Sequence, residues 1–158
     1  MQTIRNIMVP VNFSEASLVA AEYAASLAQA YKARLYVLHV KEPFPVHGRI
    51  VAGSLENVQE HRIEKEKTQL SKVIPMKLKS FITVKEIQVT GIPIHRVIVE
   101  KAREFGVDVI VMASQNRKGL MRIFKKDITE QVLHDASCSV FVVRSPQNID
   151  VPSGGSDS

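Results

Sequence analysis

The sequence predicts an α/β protein: a three-layer α/β/α sandwich around a five-stranded parallel sheet. Short apolar runs typical of buried strands alternate along the chain with longer segments of helical periodicity. The first two apolar runs begin about 30 residues apart, which is the length of a βαβ unit. Alternation of this kind favours a parallel sheet that is covered by helices on both faces.

The chain opens with this βαβ unit. The nearly continuous apolar run Arg5–Val11 predicts a buried strand, because strands of parallel sheets are covered on both faces. Ser14 is placed to cap a helix that extends to about Tyr31. A second buried strand follows over Arg34–Val40. The buried face of the helix is predicted to comprise Ala20, Ala24, Leu27, Ala28 and Tyr31.

The middle of the chain predicts a long charged helix and an edge strand. The helix is expected over Leu55–Ile74, after a loop that contains prolines and glycines. Its charged run, Glu60–Lys67, mixes both signs, and we interpret it as a solvated face rather than a site. Pro75 lies where this helix should end. Alternation of apolar and polar residues over Ile82–Val89 predicts an edge strand.

The last third predicts a helix, a buried strand, a short helix and a final strand. Pro93 fits the first position of the third helix, and Gly106 fits the position that ends it. A buried strand runs over Val107–Met112 and is followed by a polar, basic loop. The short helix begins at about Ile128, and the final strand is Ser139–Val143. The prediction is therefore five strands and four helices.

Composition indicates one soluble domain over residues 1–146 and a disordered C-terminal tail over residues 147–158. The chain has 158 residues, 45% of them hydrophobic, and a formal net charge of +5. Its aromatic content is only 6% with no Trp, so we do not expect a nucleic-acid partner. One cysteine excludes an internal disulfide, and we find neither a membrane span nor a signal peptide. The expected location is the cytoplasm.

Several segments resemble the universal stress protein family in order and spacing, over about residues 3–145. They are Met8–Ser17, Leu35–Val40, Gly91–Pro93, Asp108–Ser114 and Ala136–Val143, together with Arg117, Gly119, Leu120, Arg122, Glu130, Val132 and Leu133. The resemblance implies an adenine nucleotide alpha-hydrolase-like fold with strand order 3-2-1-4-5. It also implies a homodimer built through Ser139–Val143. An apolar edge strand of this kind is normally covered, which makes the dimer a physical expectation too.

One branch of this family binds ATP through glycines that let the backbone approach the phosphates at a helix N-terminus. The signature ends in a glycine followed by Ser or Thr. At its four defining positions this chain has Ala113, Asn116, Lys126 and Asp127. Asn12 stands where the family has an aspartate that contacts the base or ribose. The resemblance therefore indicates a branch with a degenerate ATP-binding signature.

The family resemblance places the pocket at ten candidate positions: Pro10, Val11, Asn12, Val40, Ala113, Asn116, Lys126, Asp127, Ile128 and Thr129. Asp127 matters most, because the run Asp127–Glu130 fits a capping box whose carboxylate takes N–H groups that a triphosphate would need. A carboxylate about 4 Å from a phosphate costs about 4 kcal/mol at an effective dielectric of about 20. That energy corresponds to a loss of about a thousandfold in affinity. We therefore predict no required cofactor.

Neither a nucleophilic motif nor a metal motif is present in the sequence, so we predict no enzyme and no metal site. His39 and Cys138 are interpreted as structural residues. The favoured hypothesis is a dimeric, non-enzymatic stress-response protein that acts through protein contacts and does not depend on ATP. A second is a nucleotide-binding switch or weak ATPase with a phosphate site rebuilt from Arg117, Lys118, Lys125 and Lys126. The third is a basic binder of anions or nucleic acid using the Arg117–Lys126 loop.

Overall fold

The computed structural model describes residues 3–43, 52–114 and 127–144, with side chains described from Val58 onward in the second range. The predicted basic loop, the predicted tail and the candidates Asn116 and Lys126 lie outside the described residues. The elements are β1 Asn6–Pro10, α1 Glu15–Tyr31, β2 Arg34–Lys41, α2 Ala52–Val73, α3 Met76–Lys79, β3 Val84–Thr90, α4 Ile94–Glu104, β4 Val109–Ser114, α5 Ile128–Asp135 and β5 Ser139–Arg144.

The described strands form one five-stranded sheet in the order β3-β2-β1-β4-β5, with every pair parallel. This result confirms both the predicted fold class and the strand order implied by the family resemblance. It also confirms β3 as an edge strand. The chain moves outward from β1 to β3 and then returns to place β4 on the other side of β1. In sheets of this kind ligands bind beyond the carboxyl ends of the strands at this switch point.

Two apolar cores cover the two faces of the sheet. One core packs α1 and the end of α2 against β1, β2 and β4, and the alanines of α1 let its backbone approach the sheet closely. The other packs α4 and α5 against the opposite face. Ala20, Ala24 and Ala28 are fully buried as predicted. The prediction that Tyr31 belongs to the buried face is wrong, because this residue at the end of α1 is 53% exposed.

Helix ends agree with the sequence in most places. Ser14 caps α1 by accepting a hydrogen bond from the Ser17 N–H. Gly106 has a φ of 58°, the left-handed conformation expected just beyond the end of α4. Pro75 lies just beyond the end of α2 at Val73, as expected, and is the N-cap of the short helix α3, which was not predicted. One expectation is wrong: Pro93 is the N-cap of α4 rather than its first residue.

The predicted solvated face of α2 also needs correction. Within Glu60–Lys67, Glu66 is buried, with only 8% of the residue exposed. The helical spacing offers the reason: Glu66 lies on the same stripe as Leu70, four residues further along α2, and Ile74, just beyond the end of the helix, and both are buried. The remaining charged residues from Glu60 to Lys67 are exposed.

Candidate functional site at the carboxyl edge

The predicted site residues lie at the carboxyl ends of three neighbouring strands and at the start of one helix. Pro10 ends β1, Val40 is near the end of β2, and Ala113 is near the end of β4. Asp127 caps α5, which continues with Ile128 and Thr129. The strand order brings these ends together around the switch point between β1 and β4. This edge of the sheet is the candidate functional site.

The loop after β1 is held by its own side chains. The Asn12 Oδ1 atom accepts hydrogen bonds from the Ser14 N–H at 3.1 Å and from the Ser14 hydroxyl at 2.6 Å. The Asn12 N–H in turn donates to the Ser17 hydroxyl oxygen at 3.3 Å. Asn and Asp close turns in this way. The Asn12 side-chain oxygen is therefore already used by the loop that it belongs to.

His39 fixes the same loop from β2. Its Nδ1 atom lies 2.9 Å from the Val11 carbonyl oxygen, and since a carbonyl only accepts, Nδ1 carries the proton. The Val11 N–H donates to the Leu38 carbonyl at 2.8 Å. Phe13 has a φ of 62°, unusual for an aromatic residue, and its ring centroid lies 4.5 Å from that of His39. His39 is thus buried and structural, as predicted.

Behind His39 lies a polar group centred on the buried Glu66 carboxylate, which we call the Glu66 cluster: Glu66, His39, Lys41, Arg62 and Gln88. The Glu66 carboxylate accepts hydrogen bonds from Arg62 Nε at 2.8 Å and from Gln88 Nε2 at 3.0 Å. Lys41 Nζ lies 3.5 Å from the carboxylate, and His39 Nε2 lies 3.9 Å from it. Helix α2 is thereby tied to β2 and β3 at their carboxyl ends.

The surroundings of Glu66 set its ionisation. Burial alone would raise the pKa of Glu66, because a charge is less stable away from water. The hydrogen bond from Arg62 and the positive charges of Arg62 and Lys41, together with His39 when its ring is protonated, outweigh that effect and hold the pKa below its ordinary value. Glu66 is therefore a carboxylate at neutral pH. Sequence reasoning missed the cluster, although the helical stripe of α2 contained the signal.

On the other side of the switch point, the start of α5 is held by two hydrogen bonds within the protein. Asp127 Oδ1 accepts a hydrogen bond from the Thr129 N–H at 3.1 Å, which confirms Asp127 as the N-cap. The Thr129 hydroxyl donates to the Ala113 carbonyl at 3.0 Å, and Thr129 is only 7% exposed. These two bonds join α5 to the end of β4. One of the free N–H groups that helix N-termini offer to anions is already occupied.

None of the described residues form a group of three or more His, Cys, Asp or Glu residues that could hold a metal ion. Cys138 packs against the second core, and burial raises the pKa of its thiol, so it fits the predicted structural role. Every buried side-chain nitrogen and oxygen of the described chain has a hydrogen-bond partner. No described helix is long and apolar enough to cross a bilayer.

The parallel sheet, its strand order and its switch-point edge define an adenine nucleotide alpha-hydrolase-like α/β protein. A sequence profile of the universal stress protein family matches residues 3–144, and the chain belongs to that family.

Known relatives agree with this assignment. The chain is 32% identical over 143 residues to universal stress protein MJ0531 of Methanocaldococcus jannaschii, covering 90% of this chain and 84% of the relative. It is similar in structure to universal stress protein UspA from Lactobacillus plantarum, with a TM-score of 0.69, 25% identity and coverage of 91% and 100%. A universal stress protein from Archaeoglobus fulgidus, solved in complex with dAMP, shares the fold at a TM-score of 0.61 and 22% identity, with coverage of 89% and 98%.

Proposed function

We propose that this chain is a non-enzymatic stress-response protein that acts in the cytoplasm as a homodimer, through contacts with other proteins and without a requirement for ATP. The observation that carries the proposal is the hydrogen bond from the Thr129 N–H to the Asp127 carboxylate. It occupies a helix N-terminus at the switch point, where the nucleotide-binding branch of the family places phosphate.

Two physical effects of Asp127 oppose a polyphosphate. Its carboxylate takes a backbone donor, and its negative charge would face the phosphate groups. At about 4 Å and an effective dielectric of about 20, that repulsion costs about 4 kcal/mol, or about a thousandfold in affinity. The side chains of Asn12 and Thr129 are also engaged in bonds within the protein.

The homodimer is supported by the composition of β5. This edge strand carries Phe141 and Val142, which are 43% and 40% exposed. Tyr23 of α1 lies beside them, with its ring centroid 6.4 Å from that of Phe141. An edge strand with exposed apolar side chains and free backbone groups is normally covered in a soluble protein. A second copy of the same strand would cover it.

A thermal-shift assay with ATP, ADP and AMP tests the nucleotide half of the proposal. A ligand at about one hundred times its dissociation constant stabilises a protein by about 2.7 kcal/mol. We expect no shift for the wild type. Asp127→Ser retains an N-cap and removes the charge, so it should gain ATP affinity by tenfold or more, up to the about thousandfold estimated above. Glu130→Gln, an exposed charge removal in the same helical turn, should gain much less.

Sedimentation at micromolar concentration tests the dimer. The wild type should sediment with twice the mass of the chain, and Phe141→Asp should convert it to the monomer. Tyr31→Asp, which changes an exposed aromatic residue away from β5, should leave the dimer intact. A monomeric wild type would refute this half of the proposal.

The second candidate function is a nucleotide-binding switch or weak ATPase, in which basic residues between Ala113 and Asp127 rebuild the phosphate site. Its support is the Archaeoglobus fulgidus relative in complex with dAMP. A clear thermal shift of the wild type with ATP would favour this function over the first. A shift with AMP alone would indicate a pocket for a nucleoside monophosphate and would also contradict the ATP-driven switch.

A further inference from the structure

A second concave surface lies at the opposite, amino edge of the sheet. It is an open groove with a volume of about 810 Å³, within the range of sites that hold small molecules. We call it the amino-edge groove, and its lining residues are Arg5, Asn6, Ala28, Gln29, Lys32, Ala33, Arg34, Phe81, Ile82 and Thr83. They come from the starts of the neighbouring strands β1, β2 and β3 and from the end of α1.

The charged residues that line the groove are all cationic. Arg5, Lys32 and Arg34 line it, and its lining contains no acidic residue. Within the described part of the chain, the side chains of Arg5 and Lys32 take part in no ion pair or hydrogen bond, while Arg34 donates to the Tyr36 hydroxyl at 3.3 Å. The nearby Asp108 carboxylate is directed to the backbone, where it accepts from the N–H groups of Arg5 and Asn6.

The groove also has an apolar wall. The Phe81 side chain is 66% exposed at its rim, whereas Ala28, Ala33 and Ile82 are buried beneath. An exposed aromatic ring on the lining that also carries three cations suits a ligand with a charged end and a flat apolar end. Water alone is a poor partner for the ring, and a simple inorganic ion would leave it uncovered.

Lys32 adds an observation that does not depend on the charge count. Its φ of 54° is in the left-handed region, at the position after a helix where glycine is preferred. Glycine would fit this backbone with less strain. The chain instead places a long cationic side chain there, on the lining of the groove.

We propose that the amino-edge groove binds a small organic anion whose phosphate or carboxylate group contacts Arg5, Lys32 and Arg34 while its planar apolar body packs on Phe81. The site is independent of the proposed function. The five residues of β1 separate the groove from the carboxyl edge by about 16 Å. Nucleotide binding at the carboxyl edge can therefore fail or succeed without affecting this site.

NMR titration of the full chain with phenyl phosphate tests the proposal. Saturable chemical-shift changes should occur at amides along the groove, such as Asn6, Ala33 and Thr83, and not at Ala113 or Thr129. Benzoate should cause the same pattern of shifts if a carboxylate suffices for binding. If benzoate causes no shifts while phenyl phosphate does, the site is specific for phosphate esters. Inorganic phosphate should bind several-fold more weakly than phenyl phosphate, since it leaves the ring of Phe81 uncovered.

Matched variants identify the contacts. Arg5→Gln, Lys32→Gln and Arg34→Gln should each weaken phenyl phosphate binding about two- to fivefold, as expected for exposed charge pairs. Lys77→Gln, a charge removal outside the groove lining, should leave binding unchanged. Phe81→Ala should weaken phenyl phosphate but not inorganic phosphate, and Met76→Ala is its exposed apolar control. Because Arg34 also contacts Tyr36, the Arg5 and Lys32 variants keep the test valid if Arg34→Gln does not fold.

Three results would overturn the proposal. One is the absence of saturable shifts with every probe. Another is a set of shifts confined to the carboxyl edge. The third is unchanged affinity in both Arg5→Gln and Lys32→Gln. Equal binding of phenyl phosphate and inorganic phosphate, with no effect of Phe81→Ala, would contradict the amphipathic ligand.

Discussion

The two edges of the sheet use their polar side chains in opposite ways. At the carboxyl edge, Asn12, His39, Glu66 and Thr129 all form hydrogen bonds or ion pairs within the protein. At the amino edge, the cationic side chains of the groove lie in a lining without acidic residues. The family resemblance directs attention to the carboxyl edge, yet among the residues that the structure describes, cations without an internal partner line the groove at the other edge.

This difference has a physical meaning. A polar group that is satisfied inside the protein contributes to stability, and a ligand can use it only by breaking the existing bond. A cation that faces solvent keeps its charge available for an anion. We therefore expect substitutions at the carboxyl edge to change stability first and those at the amino edge to change binding first.

Glu66→Gln should have the largest effect on stability. It removes the buried negative charge that pairs with Arg62 and Lys41, and we expect the free energy of unfolding to fall by about 2 kcal/mol. Urea denaturation at neutral pH measures the change. Glu64→Gln on the same helix is the control, since the Glu64 side chain is 75% exposed and its loss should change stability by less than about 0.5 kcal/mol. Equal losses of stability in Glu66→Gln and Glu64→Gln would refute the stabilising role of the Glu66 cluster.

The effect of Glu66 should depend on pH in a defined direction. Its folded pKa lies below the ordinary value of 4.5, so the carboxylate stabilises the fold fully above that value. The contribution is lost as the pH falls through the lowered folded pKa. The stability difference between wild type and Glu66→Gln should thus be complete at neutral pH and shrink in strong acid. Denaturation curves at several pH values test this, and a constant difference would contradict it.

Thr129→Val should come next. It preserves the side-chain shape but removes the hydroxyl that donates to the Ala113 carbonyl, so the part-buried bond between α5 and the end of β4 is lost. We expect a loss of about 1.5 kcal/mol in the free energy of unfolding. Thr68→Val removes a similar hydroxyl, one that bonds to the Glu64 carbonyl on the exposed side of α2. That variant should lose clearly less, because water can replace the bond.

Asp127→Ala should cost about 1 kcal/mol, because the Thr129 N–H loses its cap. Asp127→Ser should regain most of that stability, since serine caps helices nearly as well. Thermal or urea denaturation of the two variants separates capping from charge. A stable Asp127→Ala variant would show that the cap contributes little to α5.

The smallest expected change is a gain. Lys32→Gly should raise the free energy of unfolding by about 0.5–1 kcal/mol by relieving the left-handed backbone. The same substitution should weaken binding of phenyl phosphate in the amino-edge groove. Parallel denaturation and titration measure both quantities. If stability falls instead, the backbone at Lys32 is not strained.

The sheet was predictable because apolar runs and turn residues repeat at regular intervals. The strands around Val9, Val37 and Val111 are buried from both sides, and this burial leaves a clear mark in the sequence. The order of the strands required the family resemblance, since local patterns do not specify which strands are neighbours. The short helix α3 was missed because four residues carry no measurable periodicity.

The candidate site was only partly predictable. Asp127 was recognised because helix caps are local, and its bond to Thr129 spans two residues. The Glu66 cluster joins residues of α2, β2 and β3 that are far apart in the sequence; Glu66 and Gln88, for example, are 22 positions apart. The pattern of charges along the chain therefore predicted incorrectly that Glu66 is solvated. The amino-edge groove was not predicted at all, because its three cations come from two separate strand starts and one helix end.

The ring of Phe13 resting on His39 has a further consequence for anything that approaches the carboxyl edge. The turn that follows β1 takes its shape from an aromatic contact and from the Val11 carbonyl bond, both anchored in β2. It should therefore keep one conformation whether the edge is empty or occupied. A ligand that binds at this edge must therefore be complementary to the existing conformation of the turn.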